Sequence, residues 1–136
     1  MKVLVIGSEG QLGLEFRKIS NSYDSFYWFF STIKTLDLLR LETIDSFLNN
    51  INPNVIINCA AYTNVDKAET EPILANKINY KAVEIISKWT SAKNKKLIHI
   101  STDYVFDGLS KFPFSEKSKT KPVNEYGSSK LKGEIA

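Results

Sequence analysis

Short apolar runs alternate along the chain with longer stretches in which apolar residues recur every three or four positions. Met1–Ile6 is rich in β-branched residues, offers no polar face to water and ends at Gly7, which predicts a strand buried on both sides. From Gly10 to about Ser20, Leu12, Phe16 and Ile19 fall at helical spacing and predict one inward face. Ser25–Phe30 is aromatic and strand-like. Leu41, Ile44, Phe47 and Leu48 mark a helix over Leu41–Asn50, and Asn52-Pro53-Asn54 breaks the chain before a second buried strand at Val55-Ile56-Ile57. Pro72 suits the first turn of a long helix whose inward face is Leu74, Ile78, Ala82, Ile85, Ile86 and Trp89. Leu97–Ile100 is the next strand. Asp107–Val123, with its glycine, serines, lysines and prolines, reads as a loop, and helical character returns from Asn124.

Strand and helix alternate with crossovers long enough for parallel pairing, so the predicted fold class is α/β: a doubly wound parallel sheet of the Rossmann-like, NAD(P)-binding kind. A length of 136 residues suits one domain, and neither an internal repeat nor a low-complexity linker divides it. About four core strands precede Ala136, which lies inside a helical pattern without a glycine cap. Residues 1–136 therefore read as an incomplete dinucleotide-binding domain, with a C-terminal substrate-binding part expected beyond it. By itself the segment is expected to bind a dinucleotide weakly and to turn nothing over.

Composition adjusts this picture only slightly. The apolar and charged fractions are those of an ordinary globular protein, no run approaches the roughly 18–20 apolar residues of a membrane span, and no signal peptide is read at the N-terminus. A lone Cys59 excludes an internal disulfide and suits a reducing, cytoplasmic setting. The net charge of +3 is mild, and the lysines at 93, 95, 96, 111, 117, 119 and 121 come without a nucleic-acid motif. They read as a solvated face and a lysine-rich loop, so neither nucleic acid nor membrane is an expected partner.

Candidate chemistry sits first at the turn Gly7-Ser8-Glu9-Gly10-Gln11-Leu12-Gly13, which joins the first strand to the first helix. Gly7 permits the tight turn, Gly10 lets backbone N–H groups approach a pyrophosphate, and Gly13 lets helix and strand pack closely. The helix N-terminus adds about half a positive charge facing such a ligand. A carboxylate at the end of the second strand normally grips the adenosine ribose of NAD. Here that strand runs into Phe30-Ser31-Thr32, with Lys34 nearby, a set better suited to a 2′-phosphate. NADPH is the expected cofactor, with NADH tolerance left open.

The second candidate is Tyr126 and Lys130, four positions apart on one face of a helix. Chance supplies such a pair easily in a lysine-rich chain; its weight comes from Ser101-Thr102-Asp103, which closes a strand at the carboxyl edge where α/β proteins bind ligands. Reducing a ketone by hydride puts negative charge on oxygen, so a proton donor must stand beside it. Tyrosine, with an ordinary pKa near 10, needs an adjacent ammonium to favour its phenolate. The Thr102 hydroxyl can orient the carbonyl.

Five blocks in order carry a family resemblance: Gly7-x-x-Gly10-Gln11-Leu12-Gly13; Leu36-Asp37-Leu38; Asn58-Cys59-Ala60-Ala61-Tyr62-Thr63-x-Val65-Asp66-x-Ala68-Glu69; Ser101-Thr102-Asp103-Tyr104-Val105-Phe106-Asp107-Gly108; and Tyr126-Gly127-x-x-Lys130. Together they resemble the dTDP-4-dehydrorhamnose reductase family, an extended branch of the short-chain dehydrogenase/reductases, over the first half of a typical member. The resemblance implies reduction of the 4-keto group of dTDP-4-dehydro-L-rhamnose to dTDP-L-rhamnose, a precursor of surface polysaccharide, and leaves a homodimer open in the full-length context. It places Gly10, Gln11 and Leu12 along the cofactor phosphates, Asp37 and Leu38 at the adenine, and Ala61, Tyr62 and Thr63 on the nicotinamide side. Thr102, Tyr126 and Lys130 become the catalytic set, with Tyr126 and Lys130 also touching the cofactor and Asp103 close to substrate.

Other residues read more plainly. His99 alternates with Ile98 and Ile100 and is expected to be packed and satisfied rather than catalytic. Cys59 reads as a small buried hydrophobe. Asp66 and Glu69 serve the dipole of a helix start, and no metal is expected. Asn79 is less plain, since an inward asparagine on this helix can support the catalytic lysine in related reductases. Two rival functions remain: a nucleotide-sugar epimerase or dehydratase of the same superfamily, and a non-catalytic nucleotide-binding subunit resembling the regulatory subunit of methionine adenosyltransferase.

Overall fold

A computed structural model describes residues 1–136. Four strands, β1 (Lys2–Ile6), β2 (Tyr27–Ser31), β3 (Val55–Asn58) and β4 (Lys96–His99), form one sheet in the order β2-β1-β3-β4. All three pairings are parallel, with Leu4 opposite Phe29 and Ile56, and Asn58 opposite His99. The predicted strands hold to within two residues; β2 extends one residue further, to a buried Ser31.

Because side chains alternate across a strand, β1 feeds two cores. Leu4 and Ile6, with Ile56, face α2 (Leu41–Ile51) and α5 (Ala82–Ala92), where Ile44, Leu48, Ile86 and Trp89 complete the larger cluster. Val3, Val5 and Ile57 face the other way, against Phe16 of α1 (Gln11–Ser20) and the β2 aromatics Trp28 and Phe30. Trp89 Nε1–H donates to Asn49 Oδ1 at 3.0 Å and ties α5 to α2.

Two expectations about faces are corrected. Leu12 and Ile19 do not turn inward: they are 41% and 44% exposed, and α1 presents Gly13 and Phe16 to the sheet instead. The long helix expected from Pro72 is also interrupted. It comprises α4 (Pro72–Asn76), a π-helical turn over Lys77–Lys81, and α5, while a separate short helix α3 (Val65–Thr70) precedes it. In the first half the fully buried positions are Ala75 and Asn79, while Ile78 packs half-buried against the larger core and Leu74 is half-buried. A 3₁₀ turn (Asp103–Val105) and α6 (Glu125–Ile135) close the chain. Asn124 caps α6, accepting from the Gly127 N–H at 2.7 Å.

Candidate active site

The carboxyl ends of β1, β2 and β3 open into a cleft of about 670 Å³ lined by Gly7, Gly10, Gln11, Leu12, Thr32, Ile33, Ala60, Ala61 and Thr63, among others. Gly7 has φ of +78°, and a Cβ there would stand 2.7 Å from the Cα of Ala60, so only glycine lets β1 turn beneath the Ala60 backbone. Gly10 caps α1 without any side-chain bond to its first N–H groups. Those donors and the helix dipole are left to an anion, which fits the pyrophosphate of a dinucleotide. Arg17 steadies the turn: it stacks on the Phe30 ring at 4.7 Å and donates to the Ser8 carbonyl at 3.3 Å and the Ser8 hydroxyl at 2.9 Å.

At the end of β2 the buried Ser31 hydroxyl has no hydrogen-bond partner, and Thr32 and Ile33 border the cleft with no acid beside them on that strand. Neither Asp37 nor Leu38 lines this cleft. Leu38 belongs to the larger core, and Asp37 Oδ1 accepts from the Leu39 N–H at 2.9 Å. Ala61 and Thr63 border the cleft, but the Tyr62 side chain turns away from it. Its hydroxyl donates to Glu71 Oε2 at 2.6 Å, and that carboxylate pushes the phenol pKa up to about 12. The Tyr62 ring packs instead on the cluster containing Tyr126.

Past β4, Thr102 begins the 3₁₀ turn, its Oγ1 accepting from the Tyr104 N–H and donating to Asp103 Oδ1, both at 3.2 Å. The Tyr104 ring meets Tyr126 edge-on, with centroids 5.5 Å apart. Tyr126 and Lys130 lie one turn apart on the inner side of α6, 9% and 2% exposed. Burial pulls the lysine pKa down to about 8, against a smaller opposing pull from Glu134. Its ammonium end meets the Ile100 carbonyl at 2.5 Å. The site thus gathers Thr102, Tyr126 and Lys130 around the end of β4, with Asp103 exposed at its rim.

Asn79, considered as a support for the lysine, does something else. Its side chain clamps the Tyr62 backbone, accepting from the N–H at 2.8 Å and donating to the carbonyl at 3.0 Å, and it also donates to the Ser129 hydroxyl at 2.9 Å. The residue that touches Lys130 is His99, whose Nε2 lies 3.5 Å from Nζ. The sequence marks His99 as packed and satisfied, which Asn58 makes it, but not as a neighbour of the lysine. The available signal was two polar residues, Asn58 and His99, at the carboxyl ends of two otherwise apolar strands.

The whole chain, residues 1–136, matches the family described as the RmlD substrate binding domain. The chain belongs to that family. It is 39% identical over its full length to a dTDP-4-dehydrorhamnose reductase of Burkholderia thailandensis, of which it covers 45%. A crystal structure of a dTDP-4-dehydrorhamnose reductase from Clostridium acetobutylicum superposes with a TM-score of 0.94 at 38% identity, over 99% of this chain and 48% of that one. The Bacillus anthracis dTDP-4-dehydrorhamnose reductase, solved in complex with NADP, gives a TM-score of 0.92 at 35% identity over 98% of this chain and 48% of that one. The chain therefore spans about half the length of the relatives it matches, and its Rossmann-like α/β fold is theirs.

Proposed function

We propose that, within a chain of its relatives' full length, the protein reduces the 4-keto group of dTDP-4-dehydro-L-rhamnose to give dTDP-L-rhamnose, supplying nucleotide sugar for surface polysaccharide in the cytoplasm. The observation that carries this reading is the company of two sites: an uncapped helix N-terminus in a cleft, and a buried tyrosine–lysine pair whose Tyr126 shares a cluster with Tyr62, the residue between the cleft-lining Ala61 and Thr63. Relatives bearing the reductase name at 39% identity support the choice of substrate.

In this reading Gly10, Gln11 and Leu12 hold the cofactor phosphates by backbone N–H groups, Gly7 and Gly13 shape the turn that presents them, and Ala61 and Thr63 flank the nicotinamide. Bound nicotinamide supplies the hydride. The protein supplies the proton: Tyr126 donates its hydroxyl hydrogen to the carbonyl oxygen as that oxygen gains charge, and Thr102 orients the carbonyl by a second hydrogen bond. The Lys130 ammonium favours the phenolate left behind and returns a proton to it. NADPH is preferred over NADH, because no acid stands at the end of β2 to hold a free ribose hydroxyl or to repel a phosphate there.

Four measurements, made on a chain of that full length, test this. With dTDP-4-dehydro-L-rhamnose present, NADPH is consumed one for one with product, which separates a reductase from an epimerase that regenerates its nicotinamide. Tyr126→Phe lowers kcat by at least ~10²-fold and leaves dinucleotide Kd nearly unchanged; surviving turnover means the acid lies elsewhere. Tighter binding of NADH than of NADPH overturns the cofactor preference. Dimerisation of the protein, also part of this reading, is read by sedimentation.

A further inference from the structure

The hydrogen bonds beneath Lys130 have a direction. It is set by a group that cannot reverse, the backbone N–H of Ala60, which donates to Asn58 at 3.1 Å. The atom of Asn58 that receives it must be Oδ1, so the amide nitrogen is the end that faces His99 Nδ1, 3.2 Å away. An amide nitrogen only donates. Nδ1 must therefore be the bare acceptor of the ring, and the single proton of a neutral imidazole then sits on Nε2. Asn58 is buried, so water cannot easily relax this constraint.

Nε2 is the atom 3.5 Å from Lys130 Nζ. A full ammonium carries three protons and no lone pair, and would set donor against donor there. An amine can accept from Nε2–H while still donating to the Ile100 carbonyl. We propose that His99 is a positioning residue whose Nε2–H, oriented by Asn58, stabilises the amine form of Lys130 and makes that lysine an exchangeable proton carrier. This rests on Lys130 belonging to the reducing site, and it adds how the lysine is brought into range to return a proton to Tyr126.

The surroundings agree. Burial, and then the Lys130 charge, pull the His99 pKa down to about 4, so the ring is neutral across the working range. Lys130, brought down to about 8, lies close enough to neutrality to be both donor and acceptor. From its own helix Lys130 feels Glu134, which favours the ammonium and is itself held by the Ser101 hydroxyl. Tyr126 precedes Lys130 by one turn, and the π turn contributes the uncharged Asn79 nearby. Room for the imidazole comes from Gly133, where a Cβ would stand 3.3 Å from Nε2.

Two measurements on the protein, neither needing turnover, test the proposal. Nitrogen NMR of the wild-type imidazole at neutral pH is expected to show Nε2 protonated and Nδ1 bare; the Nδ1–H tautomer, or an imidazolium, overturns the proposal. Side-chain NMR of Lys130 is then followed against pH in the wild type and in His99→Asn, which keeps an amide within reach of Asn58 but withdraws the group against the lysine. The midpoint is expected to rise by about one unit in the variant, a roughly ten-fold tighter proton. An unchanged midpoint overturns the proposal. If His99→Asn fails to fold, the wild-type tautomer decides alone. Loss of the reductase reading in the Tyr126→Phe assay would leave both NMR results standing, so the two failures can be told apart.

Discussion

Replacing Gly127 with alanine tests how tightly the α6 helix is clamped beside the reacting groups. A Cβ at this position would overlap the Tyr104 carbonyl oxygen and stand 2.9 Å from its carbonyl carbon and 3.1 Å from Asn124 Oδ1. Neither neighbour yields freely. The Tyr104 segment is fixed by the Thr102 cap, by the Lys121 N–H donating to the Val105 carbonyl at 2.8 Å, and by ring contact with Tyr126. Asn124 is the cap of the helix itself. Relief therefore requires α6 to move away from the 3₁₀ turn by on the order of 1 Å, carrying Tyr126 from Thr102. Alanine gains up to ~1 kcal/mol in helix propensity, and overpacking costs ~1–3 kcal/mol, so the net is a loss of roughly 0–3 kcal/mol. Activity should fall much further, by ~10²-fold in kcat/KM, because that is what an ångström of misplacement costs a positioned proton donor. Urea unfolding and steady-state reduction of the ketosugar, run on the same preparation, supply both numbers. A variant more stable than wild type with undiminished kcat/KM would show that the helix is not held against the Tyr104 backbone.

Other substitutions and conditions probe the remaining parts. Asn79→Ala strips partners from the Tyr62 backbone and the Ser129 hydroxyl at once and should cost about 3 kcal/mol in urea unfolding; a loss under 1 kcal/mol refutes the clamp. Arg17→Ala removes the two bonds to Ser8 and should weaken NADPH binding about five-fold while costing about 1 kcal/mol, discounted because the side chain is exposed; unchanged Kd by calorimetry argues that the glycine turn holds itself. Stability should also climb with pH. His99 takes up a proton at about 6.5 when unfolded but only at about 4 when folded, so its contribution is present above 6.5 and lost as pH falls towards 4. Lys130 acts in the same direction between about 8 and 10.5. For His99, partial exposure brings the effect to roughly 1–2 kcal/mol. Urea midpoints in the His99→Asn variant should lose the acid-side slope, and an equal slope in both proteins would assign it to other groups.

The two central strands were readable because they are buried on both faces and so appear as unbroken apolar runs, and Met1–Ile6 needs no partner in sequence to declare itself; the half-exposed edge strands β2 and β4 showed instead by their aromatic and β-branched content. The glycine turn was readable for a similar reason, since its requirement is local: Gly7 must turn where Ala60 leaves no room for a side chain. What escaped depends on contacts between distant segments. Leu12 and Ile19 fit a helical face, but the close approach of Gly13 decides which side of α1 meets the sheet, and that side excludes them. Tyr62 belongs to a block tied to the cofactor, yet Glu71 and the Tyr126 cluster draw its ring away. His99 looked satisfied and is, by Asn58; that the other ring nitrogen reaches Lys130 depends on α6 folding back across β4 from 31 positions later.

The π turn at Lys77–Lys81 makes the spacing between the two halves of its helix a matter of phase. Each residue of a regular helix advances the direction of its side chain by about 100°. The π turn absorbs its extra residue as a bulge; forcing that residue into regular α-geometry instead would rotate one half relative to the other by that amount. If α5 kept Ile86 and Trp89 in the core, Asn79 would swing off the Tyr62 backbone; if Asn79 stayed, the tryptophan would face water. The bulge is therefore what lets one helix serve both contacts with this residue count, and an aligned relative lacking one residue here should have an unbroken α-helix that keeps both faces.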